Sequence, residues 1–188
     1  METLKRITGG IFDFLQSIVV VLAVLVMVYL FIMSPQEISG ASMEPNFHNG
    51  EYILTNKISY KLAEPKRGDV IIFKSPKNKE IDYIKRIIGL PGDRVKLVSS
   101  KFYVNDHVVN ESAYLAPELY TFGGSFLHEN QETTVPAGYY FVAGDNRPHS
   151  SDSREFGPVP LEDFIGKAFF RYFPFNRTGV ITRPDLEV

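Results

Sequence analysis

Ile81-Asp82-Tyr83-Ile84-Lys85-Arg86-Ile87-Ile88 is the stretch on which the reading of the fold turns. It is rich in β-branched and aromatic residues and reads as a strand. Successive side chains of a strand point to opposite faces, so Lys85 shares a face with Ile81, Tyr83 and Ile87 while Arg86 points the other way. A lysine on an apolar face is uncommon, because burying an ammonium costs several kcal/mol. Two readings follow. Desolvation can strip the proton and leave a neutral amine fit to act as a general base. Alternatively, Lys85 snorkels to the edge or pairs with a carboxylate such as Asp82.

The same period runs outward in both directions. Tyr52 to Thr55 reads as a strand after the Asn49-Gly50 turn, and Val70 to Phe73, after Arg67-Gly68-Asp69, as a strand buried on both faces. Leu90-Pro91-Gly92-Asp93 closes the central stretch. Arg94 to Val98, Phe102 to Val109 with a turn at Asn105-Asp106, Tyr139 to Ala143, and Gly166 to Phe173 follow as strands. No amphipathic helix stands out among them. The expected class is mainly β, an antiparallel sheet or barrel. Glu111 to Pro136 breaks the pattern with Pro117, Gly123-Gly124 and scattered aromatics (Tyr114, Tyr120, Phe122, Phe126), and reads as a flap, a subdomain or a partner surface. Phe169 to Phe175 reads as a core strand with aromatics on both faces, or else as a surface that touches lipid.

Upstream, Phe14 to Met33 carries no charge. At about 1.5 Å per residue such a helix spans about 30 Å, one bilayer core. Lys5 and Arg6 precede it, and neither Lys nor Arg occurs from Ser34 to Tyr52. The positive-inside rule then places the N-terminus in the cytoplasm and the rest outside, with Pro35 ending the helix. A cleaved signal peptide is the competing reading, since Ser39-Gly40-Ala41 is a small-x-small pattern, but the apolar run exceeds the usual 7–15 residues. Residues 1–35 are thus expected to form a cytoplasmic N-terminus and a single membrane anchor, and residues 36–188 an extracytoplasmic β-rich domain.

Across 188 residues the net charge is −2, so a general nucleic-acid binder is not indicated. The absence of cysteine excludes disulfides and thiol catalysis, and with only four scattered histidines neither a zinc site nor any other cofactor is expected.

Two further stretches carry chemistry. Ser39-Gly40-Ala41-Ser42-Met43-Glu44-Pro45 is either a small-residue loop or the seat of a nucleophile, Ser42. Gly144-Asp145-Asn146-Arg147-Pro148-His149-Ser150-Ser151-Asp152-Ser153-Arg154 is either a solvated loop or one that folds back over the site. In the second reading Asp145, Arg147, Asp152 and Arg154 form ion pairs, and a serine hydroxyl holds the lysine.

Taken together, these stretches resemble the type I signal peptidases. Ser42-Met43 with Pro45 is similar to the family's nucleophile box and Arg67-Gly68-Asp69-Val70 to the box after it. Tyr83 through Asp93 is similar to its lysine box, and Gly144 through Arg154 to its last box. The resemblance implies a Ser42 nucleophile, a Lys85 general base and Ser150 orienting the amine. Asp145, Arg147, Asp152 and Arg154 would be structural, and Met43 would shape the pocket. It implies a mainly β fold near the membrane surface, acting on the signal peptides of exported preproteins with small residues one and three before the cut, beside the bilayer and the secretion translocon. Where some members carry a serine oxyanion donor this chain has Gly40, and where Pro-Thr is common it has Pro45-Asn46. Rival readings are a Ser/His/Asp hydrolase using His149 with Asp145 or Asp152, a non-enzymatic peptide-binding β-domain, and a Ser/Lys protease with one dedicated partner or acting on itself after Ala41.

Overall fold

A computed structural model describes residues 2–116 and 119–186, with side chains from residue 10 onward. The chain enters as one helix, α1 (Glu2–Phe31), within which Gly10–Phe31 has a mean hydropathy of 2.7 and stands exposed, touched by the β domain only near its end, where Lys57 Nζ donates to Tyr29 O (3.1 Å). A helix that is apolar on every face and left exposed by the protein suits a lipid surrounding. Lys5 and Arg6, on which the expected orientation rests, have side chains outside the described set.

Twelve strands follow: β1 (Met33–Glu37), β2 (Tyr52–Asn56), β3 (Val70–Lys74), β4 (Asp82–Gly89), β5 (Arg94–Val98), β6 (Lys101–Val104), β7 (His107–Val108), β8 (Glu132–Thr134), β9 (Tyr139–Ala143), β10 (Val159–Pro160), β11 (Phe164–Phe173) and β12 (Gly179–Val180). Eight form one antiparallel sheet in the order β1-β2-β11-β3-β4-β9-β10, with β12 on β11; four form a smaller sheet, β7-β6-β5-β8. Both are open paths. Outside α1, only single-turn α-helices occur among the described residues, Ser59–Leu62 and Ser153–Phe156.

Alternation along the strands assigns the core. On β3, Val70 and Ile72 pack with Met43, Phe47 and Ile53 on one face of the large sheet, while Ile71 and Phe73 pack with Ile87, Tyr140 and Val142 on the other. A third cluster joins the sheets: Ile88 and Phe141 from the large one meet Val95, Leu97, Phe102 and Val104 from the small one. β4 therefore touches all three clusters, and its residues 85 and 86 sit where they meet.

Three expectations need correction. The helix ends at Phe31, ahead of Pro35, and Pro35 lies inside β1 opposite Leu54. β1 is an edge strand, where a missing N–H is tolerated, so this proline marks a sheet edge instead of a helix end. Ile81 precedes β4 and is exposed, so the apolar face around Lys85 is made by Tyr83 and Ile87 without it. The Phe169–Phe175 stretch is not a core strand throughout: Phe173 is 43% and Phe175 84% exposed. β12 covers β11 only at Phe170 and Arg171, which leaves the far end bare.

Glu111–Pro136 is sewn into the small sheet. Tyr114, Leu127 and Val135 are buried in the cluster between the sheets, and β8 pairs with β5. Pro117 lies outside the described residues.

Phe102 is fully buried, packs edge-on to Phe141 at 5.8 Å, and lies under the Arg147 guanidinium at 4.9 Å. Removing a buried aromatic leaves a cavity, so Phe102→Ala is expected to cost about 3–5 kcal/mol in urea unfolding of the detergent-solubilised chain. A loss below about 1 kcal/mol contradicts this packing.

Candidate active site

Ile38 to Glu51 forms a closed loop between β1 and β2. Ile38 N donates to Glu51 O (2.8 Å) and Gly50 N to Ile38 O (2.8 Å), so the two ends are joined. Within it the chain makes a tight turn, with Glu44 N donating to Ala41 O (3.1 Å) and Phe47 N to Met43 O (2.9 Å). Met43 and Phe47 point into the core as plugs, and Ser42 is left half-buried at the start of the turn. Gly40 enters at φ +92°, a left-handed conformation that side chains disfavour, and its N–H donates to Asn49 Oδ1 (2.8 Å). Met43 thus supports the cleft from below and does not line it.

Lys85 comes from β4. Its Nζ donates to Ile84 O (2.8 Å) and hydrogen-bonds Ser42 Oγ at 2.7 Å. The residue is 3% exposed, and the amine stands 5.2 Å from the Tyr83 ring centre. Burial lowers its pKa to about 8, against the opposing pull of Asp152 and Asp145 and with a smaller push from Arg154. Asp82, the pairing candidate, is bound to Lys74 instead at 2.7 Å.

The loop after β9 closes over the Ser42 turn from the other side. Asn146 N donates to Ser42 O (3.0 Å), and Asn146 Nδ2 to Ala41 O (3.0 Å). Three buried arginines fix this loop. Arg86, next to Lys85 but on the opposite face, grips Asp145 with two bonds (2.9 and 2.7 Å) and stacks on Tyr114. Arg154 grips Asp152 twice at 2.8 Å, and Asp152 Oδ2 also accepts from Gly144 N at 3.0 Å. Burial pushes Asp152 up, but the Arg154 contacts outweigh it and hold the carboxyl below its ordinary value. Arg147 pairs with Glu111 and donates to Gly144 O (2.9 Å). Burial opposes its charge and Glu111 restores it, leaving it raised.

Gly144 lies where the two loops touch. A Cβ there would stand 2.5 Å from Ser42 O and 2.2 Å from Ser150 Oγ. Ser150 Oγ is therefore buried close to the Ser42 carbonyl and beside Asp152, and it makes no hydrogen bond to Lys85. His149 is exposed on the cleft rim; both carboxylates that could orient it, Asp145 and Asp152, are committed to arginines. The cleft holds about 320 Å³, with walls from Ile38, Ile53, Ile72 and Ile84 beside Ser42 and Lys85. Among the described residues no cluster of His, Asp and Glu has the makings of a metal site.

Sequence reasoning missed Asn46, Asn146 and Glu111. Asn46 Nδ2 donates to Asp145 Oδ2 (2.9 Å) and Tyr114 O (2.8 Å), linking the Ser42 turn to the arginine network. Its place beside Pro45, where the resemblance departs, was the available signal. Glu111 gave none, because its partner lies 36 residues away.

A half-buried serine bonded to a desolvated lysine, with a main-chain loop closed around both, is a hydrolase type of site. Residues 11–173 match the family described as Signal peptidase, peptidase S26, and the chain belongs to that family of serine endopeptidases. It is 41% identical to the signal peptidase I of Bacillus caldolyticus over 155 residues, covering 79% of this chain and 84% of that protein. It is 36% identical to signal peptidase IB of Staphylococcus aureus (strain COL), covering 88% and 91%, and 38% identical to the probable signal peptidase I-2 of a Synechocystis strain, covering 81% and 68%.

The lowered pKa also bears on stability. Between about 8 and 10.5 the unfolded chain keeps the Lys85 proton that the folded chain has released, so stability rises with pH across that window. The cost of the buried charge is present in full below it. Lys85→Met is therefore expected to raise neutral-pH stability by on the order of 2 kcal/mol, a gain that fades toward pH 10.5. A variant less stable than wild type by the same margin at pH 7 and pH 10 in urea unfolding contradicts the assigned desolvation.

Proposed function

We propose that this chain is a single-pass membrane-anchored endopeptidase that cuts signal peptides from exported preproteins with a Ser42/Lys85 dyad. The observation that carries it is the 2.7 Å contact between Ser42 Oγ and a lysine amine so buried that it sheds its proton near pH 8. Membership of the signal peptidase family supports the substrate class.

The neutral Lys85 amine accepts the Ser42 proton as Oγ attacks the scissile carbonyl. Negative charge then develops on the carbonyl oxygen. The Ser42 N–H opens the turn and donates to no other group among the described residues, so it is placed to receive that charge. Gly40 adds no donor, because its N–H is spent on Asn49. Losing a donor of this kind costs roughly 10²–10³ in turnover. The Lys85 ammonium returns its proton to the leaving amine. The neutral amine then takes a proton from water as its oxygen attacks the acyl-enzyme ester, and the ammonium returns that proton to Ser42 Oγ as the ester bond breaks. Asp145, Arg147, Asp152 and Arg154 act by holding the covering loop. Ser150, whose hydroxyl is buried close to the Ser42 carbonyl, is assigned the orienting of the amine.

The isoleucine-walled cleft offers an apolar seat beside Ser42 for small side chains of the Ala-x-Ala type. With α1 in the bilayer, the N-terminus inside and the β domain on the outer face, enzyme and signal peptide share one surface, which raises their effective concentration. The exposed Phe173 and Phe175 extend that surface toward lipid.

Cleavage of an Ala-x-Ala preprotein in detergent is expected to vanish in Ser42→Ala and Lys85→Ala and to persist in His149→Ala. Loss of cutting in His149→Ala, or its retention in Ser42→Ala, overturns the dyad.

In the same assay kcat is expected to fall about tenfold per pH unit below 8, as Lys85 takes up its proton, and to level off above 8. A rate that is flat from pH 6 to 8 contradicts a lysine base.

A further inference from the structure

Behind the nucleophile turn, on the side away from Lys85, a second ionic cluster has no part in the mechanism above. The Asn46 carbonyl accepts from two arginines at once, Arg171 Nη2 at 2.7 Å and Arg177 Nη2 at 3.2 Å. Arg171 lies on β11 and Arg177 just beyond it. Both guanidiniums also face one carboxylate, Glu51, with Arg171 Nε 3.0 Å from Oε2 and Arg177 Nη1 2.6 Å from Oε1. Glu51 is 2% exposed and closes the loop that carries Ser42, its carbonyl accepting from Ile38 N. Arg171 further stacks on Phe47, the plug at the end of the turn, at 5.0 Å.

We infer that Glu51, Arg171 and Arg177 are positioning residues for Ser42, fixing the turn from behind through the Asn46 carbonyl while Asp145 fixes it in front through the Asn46 amide. This rests on the Ser42/Lys85 reading.

The charge count explains the arrangement. Two guanidiniums converging on one carbonyl repel each other, and burial sharpens the repulsion. Burial pulls Arg171 below its ordinary value; Glu51 opposes this and Arg177 adds to it. Glu51 is the only carboxylate paired with either arginine among the described residues. Without its charge the pair splays and Asn46 loses its rear donors, while Asp145 still pulls from the front. The turn then shifts Ser42 against Lys85. Displacements of about 1 Å in a reacting pair cost up to about 10²-fold in rate. A loosened turn also admits water to Lys85 and returns its pKa toward the ordinary lysine value. The groups facing that amine (Asp145, Asp152 and Arg154, with Asp82 and His149 on the cleft rim) are unchanged by the substitution.

The test is steady-state cleavage of an Ala-x-Ala preprotein by the full chain in detergent, run below the melting temperature of each variant and across pH 6–10. Glu51→Gln is expected to lower kcat roughly tenfold with KM within about twofold, and to move the kcat pH limb alkaline by about half a unit or more. The charge-balanced double variant Glu51→Gln/Arg177→Gln is expected to recover at least about threefold of that loss, since one arginine then holds Asn46 unopposed. Wild-type kcat and pH limb in Glu51→Gln overturn the inference even if its melting point falls. So does a kcat loss with an unmoved limb and no recovery in the double variant. If Glu51→Gln fails to fold, the double variant is read in its place: folding with the kcat of Arg177→Gln within about fivefold supports charge balance, and failure to fold overturns it. Ser42→Ala and Lys85→Ala run alongside. If these still cut, the dyad reading fails; if they are inactive and Glu51→Gln behaves as wild type, only this inference fails.

Discussion

Lys85 is buried to 3% exposure with no carboxylate bonded to its amine, and the rest of the site depends on that. Pairing would have kept the proton on and left a structural salt bridge. Here the two nearest acids, Asp145 and Asp152, are each held by an arginine, so they stabilise the ammonium only from a distance. Desolvation wins and brings the amine down to about 8. The neighbours on β4 make this possible: Arg86, on the other face, takes Asp145 out of reach of the lysine it follows.

The arginine pairs are better understood as geometry than as stability. A buried ion pair recovers little more than its own desolvation cost, while breaking one leaves a costly lone charge. Arg86–Asp145, Arg154–Asp152 and Arg147–Glu111 therefore allow the covering loop one arrangement and penalise others. Through Asn146 and Gly144 that arrangement sets the height of Ser42 over Lys85. Glu51 with Arg171 and Arg177 makes the corresponding cluster behind the turn. Ser42 sits on a loop, yet the loop is closed on itself between Ile38 and Glu51, tied through Ala41 and Ser42 to Asn146, and tied through Asn46 to Asp145 and Tyr114.

Much of this was legible in the residues. Period-two patterning located β2, β3, β4, β5, β9 and β11 and placed Lys85 and Arg86 on opposite faces, because strand alternation is a local property. The apolar helix was legible for the same reason. What escaped was decided by distant pairing. Pro35 breaks a helix in isolation, but opposite Leu54 it is an edge-strand residue. Glu111–Pro136 lacks pattern because its backbone follows the small sheet, and its buried residues are spaced by contact with Phe102 and Phe141 instead of by a period of its own. Glu111 and Glu51 are single acids whose partners, Arg147 for the first and Arg171 and Arg177 for the second, lie far along the chain, a relation that no local spacing encodes.

The most direct measurement is the titration of Lys85 itself, followed by NMR of lysine labelled at the ε carbon, with Lys85→Met used to assign the signal. Lys85 is expected to titrate near pH 8, well below the ordinary lysine value. A Lys85 signal that titrates near 10.5 would mean that the amine is charged at working pH, and the base assigned to Ser42 would be lost.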